Sequence, residues 1–325
     1  MRLIAICMLS LPISWVAHAQ APPVPDWLPP VAARIAALQA SHDPGERWQG
    51  AELSLALGVA ADGGHLAAAS ALEPVFLGAW QADPAVRLHR HRLLRLCQGT
   101  LDCGGSPGRN LGPAAGMPSP GLLPALLKAQ RADEQDNGMG AWQAVQVALH
   151  LGETGIAAQQ LRAAATRRPF VDGNRQRLAL LLAALRNVPL PGAAQAGGRS
   201  PRQVVHAALL ASLEDPTVWD HGGIALCAQP SHADTCARLA TQMAASGDLG
   251  LQQLALRLSP APDAGTRRHL DWLQWQQLHW QRRGLPDGYL ERAAREGTTA
   301  AIRALLQERG VPQAPPADWS PDATP

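Results

Sequence analysis

The chain has 325 residues, 46% of them hydrophobic and 17% charged, with a formal net charge of +2. That apolar content supports a packed core and excludes global disorder, and a near-neutral balance with no basic stripe excludes a nucleic-acid reader. Lys128 is the only lysine; with abundant Ala, Gly and Pro, this arginine bias points to a GC-rich genome rather than to chemistry.

Residues 1–19 read as a signal peptide: Arg2, an apolar run from Leu3 to Val16, and Ala17-His18-Ala19, with cleavage expected after Ala19. The run is short and broken by Pro12, so no retained membrane span is expected. The mature chain is expected to be periplasmic or secreted. Beyond it, strand patterns are almost absent, and Ala, Leu, Gln and Arg recur at helical spacing between Gly, Pro and Asp/Asn. Helices are expected over 31–40, over 47–61 after the start signal Asp43-Pro44, and over 121–131, 139–151, 156–168, 175–186, 201–213, 236–247 and 251–259. Two units echo each other: "DPAVRLH" at 83–89 and "DPTVWDH" at 215–221, each opened by Asp-Pro as a helix start and followed by an apolar stretch ending in cysteine.

Four cysteines remain after cleavage, an even number for an oxidising compartment. Each pair brackets one loop, so Cys97 is expected to bond Cys103, and Cys227 to bond Cys236. Their spacings fit neither a C-x-x-C redox motif nor paired zinc knuckles. "GGSPG" at 104–108 matches a serine-nucleophile elbow around Ser106 only in letters, because no buried strand precedes it and Pro107 follows. The histidines, His89 and His91 included, lack the i, i+4 spacing of a helical zinc site and read as surface or helix-end residues. No phosphate-binding glycine loop occurs. No catalytic set, metal site or cofactor is therefore assigned. The acids of "ADEQDN" at 132–137 read as charges complementing the following helix.

Segment 141–169 resembles a tetratricopeptide repeat. Trp142 stands at the early tryptophan position, Gly152 at the turn, Ala157 and Ala164 at the small positions, Leu161 at the large one, and Pro169 closes the unit. The match needs a one-residue deletion, and Val145-Gln146 replaces the usual Leu-Gly. Segment 287–311 resembles a single ankyrin repeat through Gly297 and Leu305-Leu306, without the T-P-L-H signature; it reads as a terminal helical hairpin. "RRHLDWLQWQQLHWQRRG" at 267–284 sets Trp272 and Trp275 on one side with His279, while Trp280 lies nearer Leu273. Such indoles line a groove or fill an interhelical core.

The expected fold is all-α: antiparallel helical hairpins stacked as a tetratricopeptide-like α-solenoid, with two local disulfides. The expected organisation is a signal peptide (1–19), an N-terminal helical half (20–187), a linker (188–202), a C-terminal helical half (203–311) and a Pro-rich tail (312–325) that is extended or pinned only by Trp319. The expected function is a protein- or peptide-binding or scaffold module of the cell envelope. The alternative is an envelope hydrolase whose residues converge from distant helices. Gln143, Gln146 and His150, along one side of a helix, and Trp272 and Trp275 are the candidate binding residues.

Overall fold

Runs of helix-forming residues punctuated by Asp, Asn, Gly and Pro become fifteen α-helices among the described residues, with no strand beyond one isolated bridge between Val59 and His65. The computed structural model describes residues 25–66, 69–99, 122–133, 136–171, 173–190, 199–213, 220–259 and 262–320. The signal peptide, Cys103, Ser106 and most of the expected linker lie outside them. In chain order the helices are α1 (Leu28–Gln39), α2 (Pro44–Leu57), α3 (Glu73–Ala82), α4 (Arg87–Gly99), α5 (Leu122–Asp133), α6 (Gly138–His150), α7 (Thr154–Ala164) and α8 (Asn174–Leu185). There follow α9 (Pro201–Leu213), α10 (Asp220–Cys227), α11 (Ala233–Ala244), α12 (Leu249–Leu258), α13 (Ala264–Arg283), α14 (Tyr289–Glu296) and α15 (Thr298–Glu308). No helix among the described residues is long and apolar enough to cross a membrane.

Short side chains start several helices by accepting their orphan N–H groups. Asp43 accepts from Gly45 with Pro44 at the first turn of α2, Asn137 from Met139 at α6, Asp248 from Leu251 at α12, and Asp263 from Thr266 at α13. Asp83 behaves differently from the expected helix start. It closes α3 and accepts from the Ala85 N–H in a local turn, and α4 begins only at Arg87.

Neighbours in sequence pack side by side, as in α1 with α2, α6 with α7, α11 with α12 and α14 with α15. The unit around α6 and α7 holds the small and large residues where close helix approach needs them: Trp142, Ala157, Leu161 and Ala164 are fully buried. Gly223 of α10 abuts the Trp142 indole, where an added Cβ would come within 2.3 Å of the ring. The expected bond between Cys227 and Cys236 is present, with Cα atoms 5.6 Å apart, and ties the end of α10 to the first turn of α11. Cys103 falls outside the described residues, so the pairing expected for Cys97 is not among the described bonds.

The packed residues form two apolar clusters. One joins α2 through α7 to α10, α11 and α12, with Trp48, Phe76, Leu126, Trp142, Leu239 and Leu254 among its members. The other joins α1 and Leu53 of α2 to α8, α9 and α13 through α15, including Ile35, Leu181, Leu209, Trp280 and Leu306. α2 belongs to both and packs on α8 and α9, while α14 packs on α8. The clusters thus cut across the 188–202 boundary, because C-terminal helices return to cover N-terminal ones.

Candidate functional site

The residues singled out in the sequence fall into three environments. α6 is buried on every side from Gly138 to Ala148, since α5, α7 and α10 pack around it. Gln143 and Gln146 are therefore inside, 1% and 3% exposed, and present no surface. Gln143 accepts from the Gln130 amide at 3.2 Å, and Gln130 in turn accepts from Arg90 Nε at 2.7 Å. His150, the last residue of α6, is half-buried. On α13, Trp272 is buried and Trp275 half-buried. Trp275 stacks on Trp272 at 5.4 Å and on His279 at 5.1 Å, as their shared helix side dictates. Trp280 turns inward to Tyr289.

The tail covers part of this aromatic row. Trp319 meets the Trp272 ring edge-on at 5.4 Å, and the Trp272 indole N–H donates to the Pro312 carbonyl at 3.1 Å. Arg268 donates to the carbonyls of Pro316, Ala317 and Trp319 at 2.7, 2.9 and 3.1 Å. The tail is thus held by its backbone as well as by Trp319.

α4 departs most from the sequence reading. Its segment "LHRHRLL" is buried throughout, with His89 and His91 9% and 4% exposed rather than on the surface. Such burial demands partners. Arg92 Nε donates to one oxygen of Glu52 at 2.7 Å and Arg177 Nε to the other at 2.6 Å, linking α2, α4 and α8. Arg177 also donates to the Ser212 carbonyl on α9 at 2.9 Å. Burial alone would raise the Glu52 pKa, but the Arg177 and Arg92 charges and their hydrogen bonds outweigh it and hold the carboxyl below the ordinary range. Burial pulls Arg177 down to about 10, which leaves it charged at neutral pH. His89 lies 5.1 Å from the Trp48 ring. Burial lowers its pKa, against the opposing effects of a hydrogen bond to the Ala79 backbone and the Asp83 and Glu52 charges.

The sequence reading missed an open pocket of about 330 Å³ between α5 and α7, lined by Lys128, Arg131, Ala132, Gln159, Gln160 and Arg167. α5 buries Leu122, Leu123, Leu126, Leu127 and Gln130, spaced at three and four residues. The same periodicity puts Lys128, Arg131 and Ala132 together at the side of that stripe. Both α5 and α7 pack on α6, which brings these cations to Gln159, Gln160 and Arg167. Among the described residues the wall carries three cations and no carboxylate. Gln160 is 5% exposed, and its Oε1 has no hydrogen-bond partner. The sequence signal was the lone lysine three residues before an arginine, but Arg167 joins them only through the fold. Comparisons with protein-family models, curated proteins and solved structures give no match to this chain.

Proposed function

We propose that the chain is an exported helical-repeat protein of the cell envelope, built from antiparallel hairpins of tetratricopeptide-like kind, that binds a protein or peptide. The supporting observation is the pocket between α5 and α7. The interior is closed by indoles, leucines and the Glu52 ion pairs, whereas this concave opening offers polar and charged groups on the outside of two neighbouring helices. Export follows from Arg2, the apolar run and Ala17-His18-Ala19. In an oxidising compartment Cys97 then bonds Cys103 across the loop after α4, as Cys227 bonds Cys236 after α10.

Photo-reactive residues placed in the host at Ala132, which lines the pocket, and at the exposed Arg303 of α15 test the binding face. A discrete envelope adduct from position 132 and none from position 303 is expected. Equal adducts from both positions, or none from position 132, would reject the assignment.

A further inference from the structure

The aromatic row on α13 already holds a proline-rich segment, the chain's own residues 311–319. We propose that this row is a docking site for a proline-rich segment of a partner protein, and that the tail occupies it in cis as a displaceable strap. The inference is independent of the pocket between α5 and α7. The contacts that hold the tail define what the row recognises. Arg268 donates to the carbonyls of Pro316, Ala317 and Trp319, and the Trp272 indole N–H donates to that of Pro312. All four acceptors are main-chain oxygens. The segment contains neither helix nor strand and closes with a turn, where the Trp319 N–H donates to the Pro316 carbonyl at 3.1 Å. A proline-rich chain lacks an N–H at each proline and makes no internal hydrogen bonds where it is extended, so its carbonyls need donors from outside. It is also stiff, loses little freedom on docking, and fits grooves lined by aromatic rings. Trp272, Trp275 and His279 supply such rings in one stacked row, and Pro312, Pro315 and Pro316 supply the prolines.

The tail fits this row loosely. Val311 and Trp319 pack on the apolar cluster, but every residue between them except Pro315 is exposed. A segment with so few buried contacts opens at low cost compared with the core. Trp319 lies edge-on to Trp272, and its own indole N–H is buried without an acceptor. Such a group weakens the contact, and a phenyl ring in the same place has no N–H to satisfy. A partner segment that offers the same carbonyls and a phenylalanine therefore improves on the tail. A second copy of the chain does not. It offers an identical segment at far lower concentration than the tethered one, whose effective concentration is in the millimolar range.

The probe is a fluorescein-labelled peptide of sequence 311–320 with phenylalanine in place of Trp319, followed by fluorescence anisotropy. It is titrated with the full chain, with Trp319→Ala, which frees the row without altering α13, and with Trp319→Ala combined with Arg268→Gln. Saturable binding to Trp319→Ala is expected, roughly tenfold or more tighter than to the wild type, where the tail competes. Adding Arg268→Gln, or replacing the prolines of the probe with alanine, should weaken binding by roughly tenfold or more. No saturable binding to Trp319→Ala, equal binding to Trp319→Ala and wild type, or binding indifferent to Arg268 or to the prolines overturns the proposal. Loss of the native circular-dichroism spectrum in Trp319→Ala overturns it as well, since the tail would then be part of the core rather than a strap. A wild-type dimer in size-exclusion chromatography that Trp319→Ala converts to monomer names a second copy as the occupant and overturns the partner assignment. Peptide binding at Trp272 and adducts from position 132 are separate readouts, so either surface can fail while the other stands.

Discussion

Glu52 meets two guanidiniums inside the protein, with Arg92 and Arg177 donating at 2.7 and 2.6 Å. Replacing one partner of a buried ionic cluster leaves the others uncompensated, so Glu52→Gln should cost about 3–5 kcal/mol at neutral pH. The pH dependence follows from the lowered Glu52 pKa. The stabilisation is fully present above the unfolded carboxyl value near 4.5 and is lost as pH falls through the lower folded value. The gap between wild type and Glu52→Gln in urea unfolding should therefore persist down to the ordinary carboxylate range and close only below it. A gap that closes well above that range would show that the two arginines do not hold the charge. His89 works in the same direction at milder pH. Burial lowers its pKa, so the unfolded chain takes up a proton near 6.5 that the folded chain refuses. Stability therefore falls as pH drops from the ordinary histidine value toward the folded one. His89→Phe, which keeps an aromatic ring against Trp48, should fall less in thermal midpoint between about pH 7.5 and 5.5. The dependence should flatten but not vanish, because the pKa values of His206, His269 and His279 are also lowered by burial.

Helices meet through residues whose size is set by the neighbour. At the crossing of α6 and α10, the Trp142 indole occupies the space that any side chain at position 223 would need. Gly223→Ala should cost about 1–3 kcal/mol through overpacking, measured by chemical denaturation. A variant as stable as wild type would mean that α10 shifts freely. In α9 the sequence reading and the structure agree over Pro201–Leu213, and α6 and α8 differ from their expected limits by one residue at each end. Apolar spacing and punctuation suffice for α8 and α9, where one helix face carries the core, and punctuation by Asn137 and Gly152 bounds α6, which is buried all round. α4 was not legible in this way. His89 and His91 read as surface or helix-end residues, whereas Glu52 and Gln130, each about forty positions distant, accept hydrogen bonds from the buried Arg92 and Arg90. Gln143 and Gln146 misled for the converse reason. Their common helix side was legible, but α5, α7 and α10 closing around α6 were not. Lys128 looked like a compositional accident because Arg167 reaches the same pocket only when α5 and α7 share α6 as a support.

At the scale of the molecule, the question is whether the segment 188–202 separates two folding units. The cluster containing Val31, Ile35 and Leu38 of α1 and Leu53 of α2 is completed by Leu178 and Leu181 before that segment, and by Val205, Leu209, Trp280 and Leu306 after it. Polar bonds cross the same division: Arg177 on α8 donates to the Ser212 carbonyl on α9. The other cluster is divided as well, since Trp142 and Leu161 lie before the segment and Leu239, Met243 and Leu254 after it. Cutting there would expose the inner faces of α1, α6 and α8 in one piece and of α9, α11 and α13 in the other. Domains that fold alone need their own closed core, and marginal stability leaves little reserve against such exposure. Fragments 20–190 and 199–325 should therefore each lack a cooperative thermal transition followed by circular dichroism. Mixed under oxidising conditions, they should co-elute and regain one. If each fragment melts cooperatively alone, near the midpoint of the whole chain, the shared clusters contribute little and the segment is a true domain linker. If only the mixture melts, the helices are held by contacts between the chain's beginning and its end. A change anywhere along that seam should then be felt in both clusters.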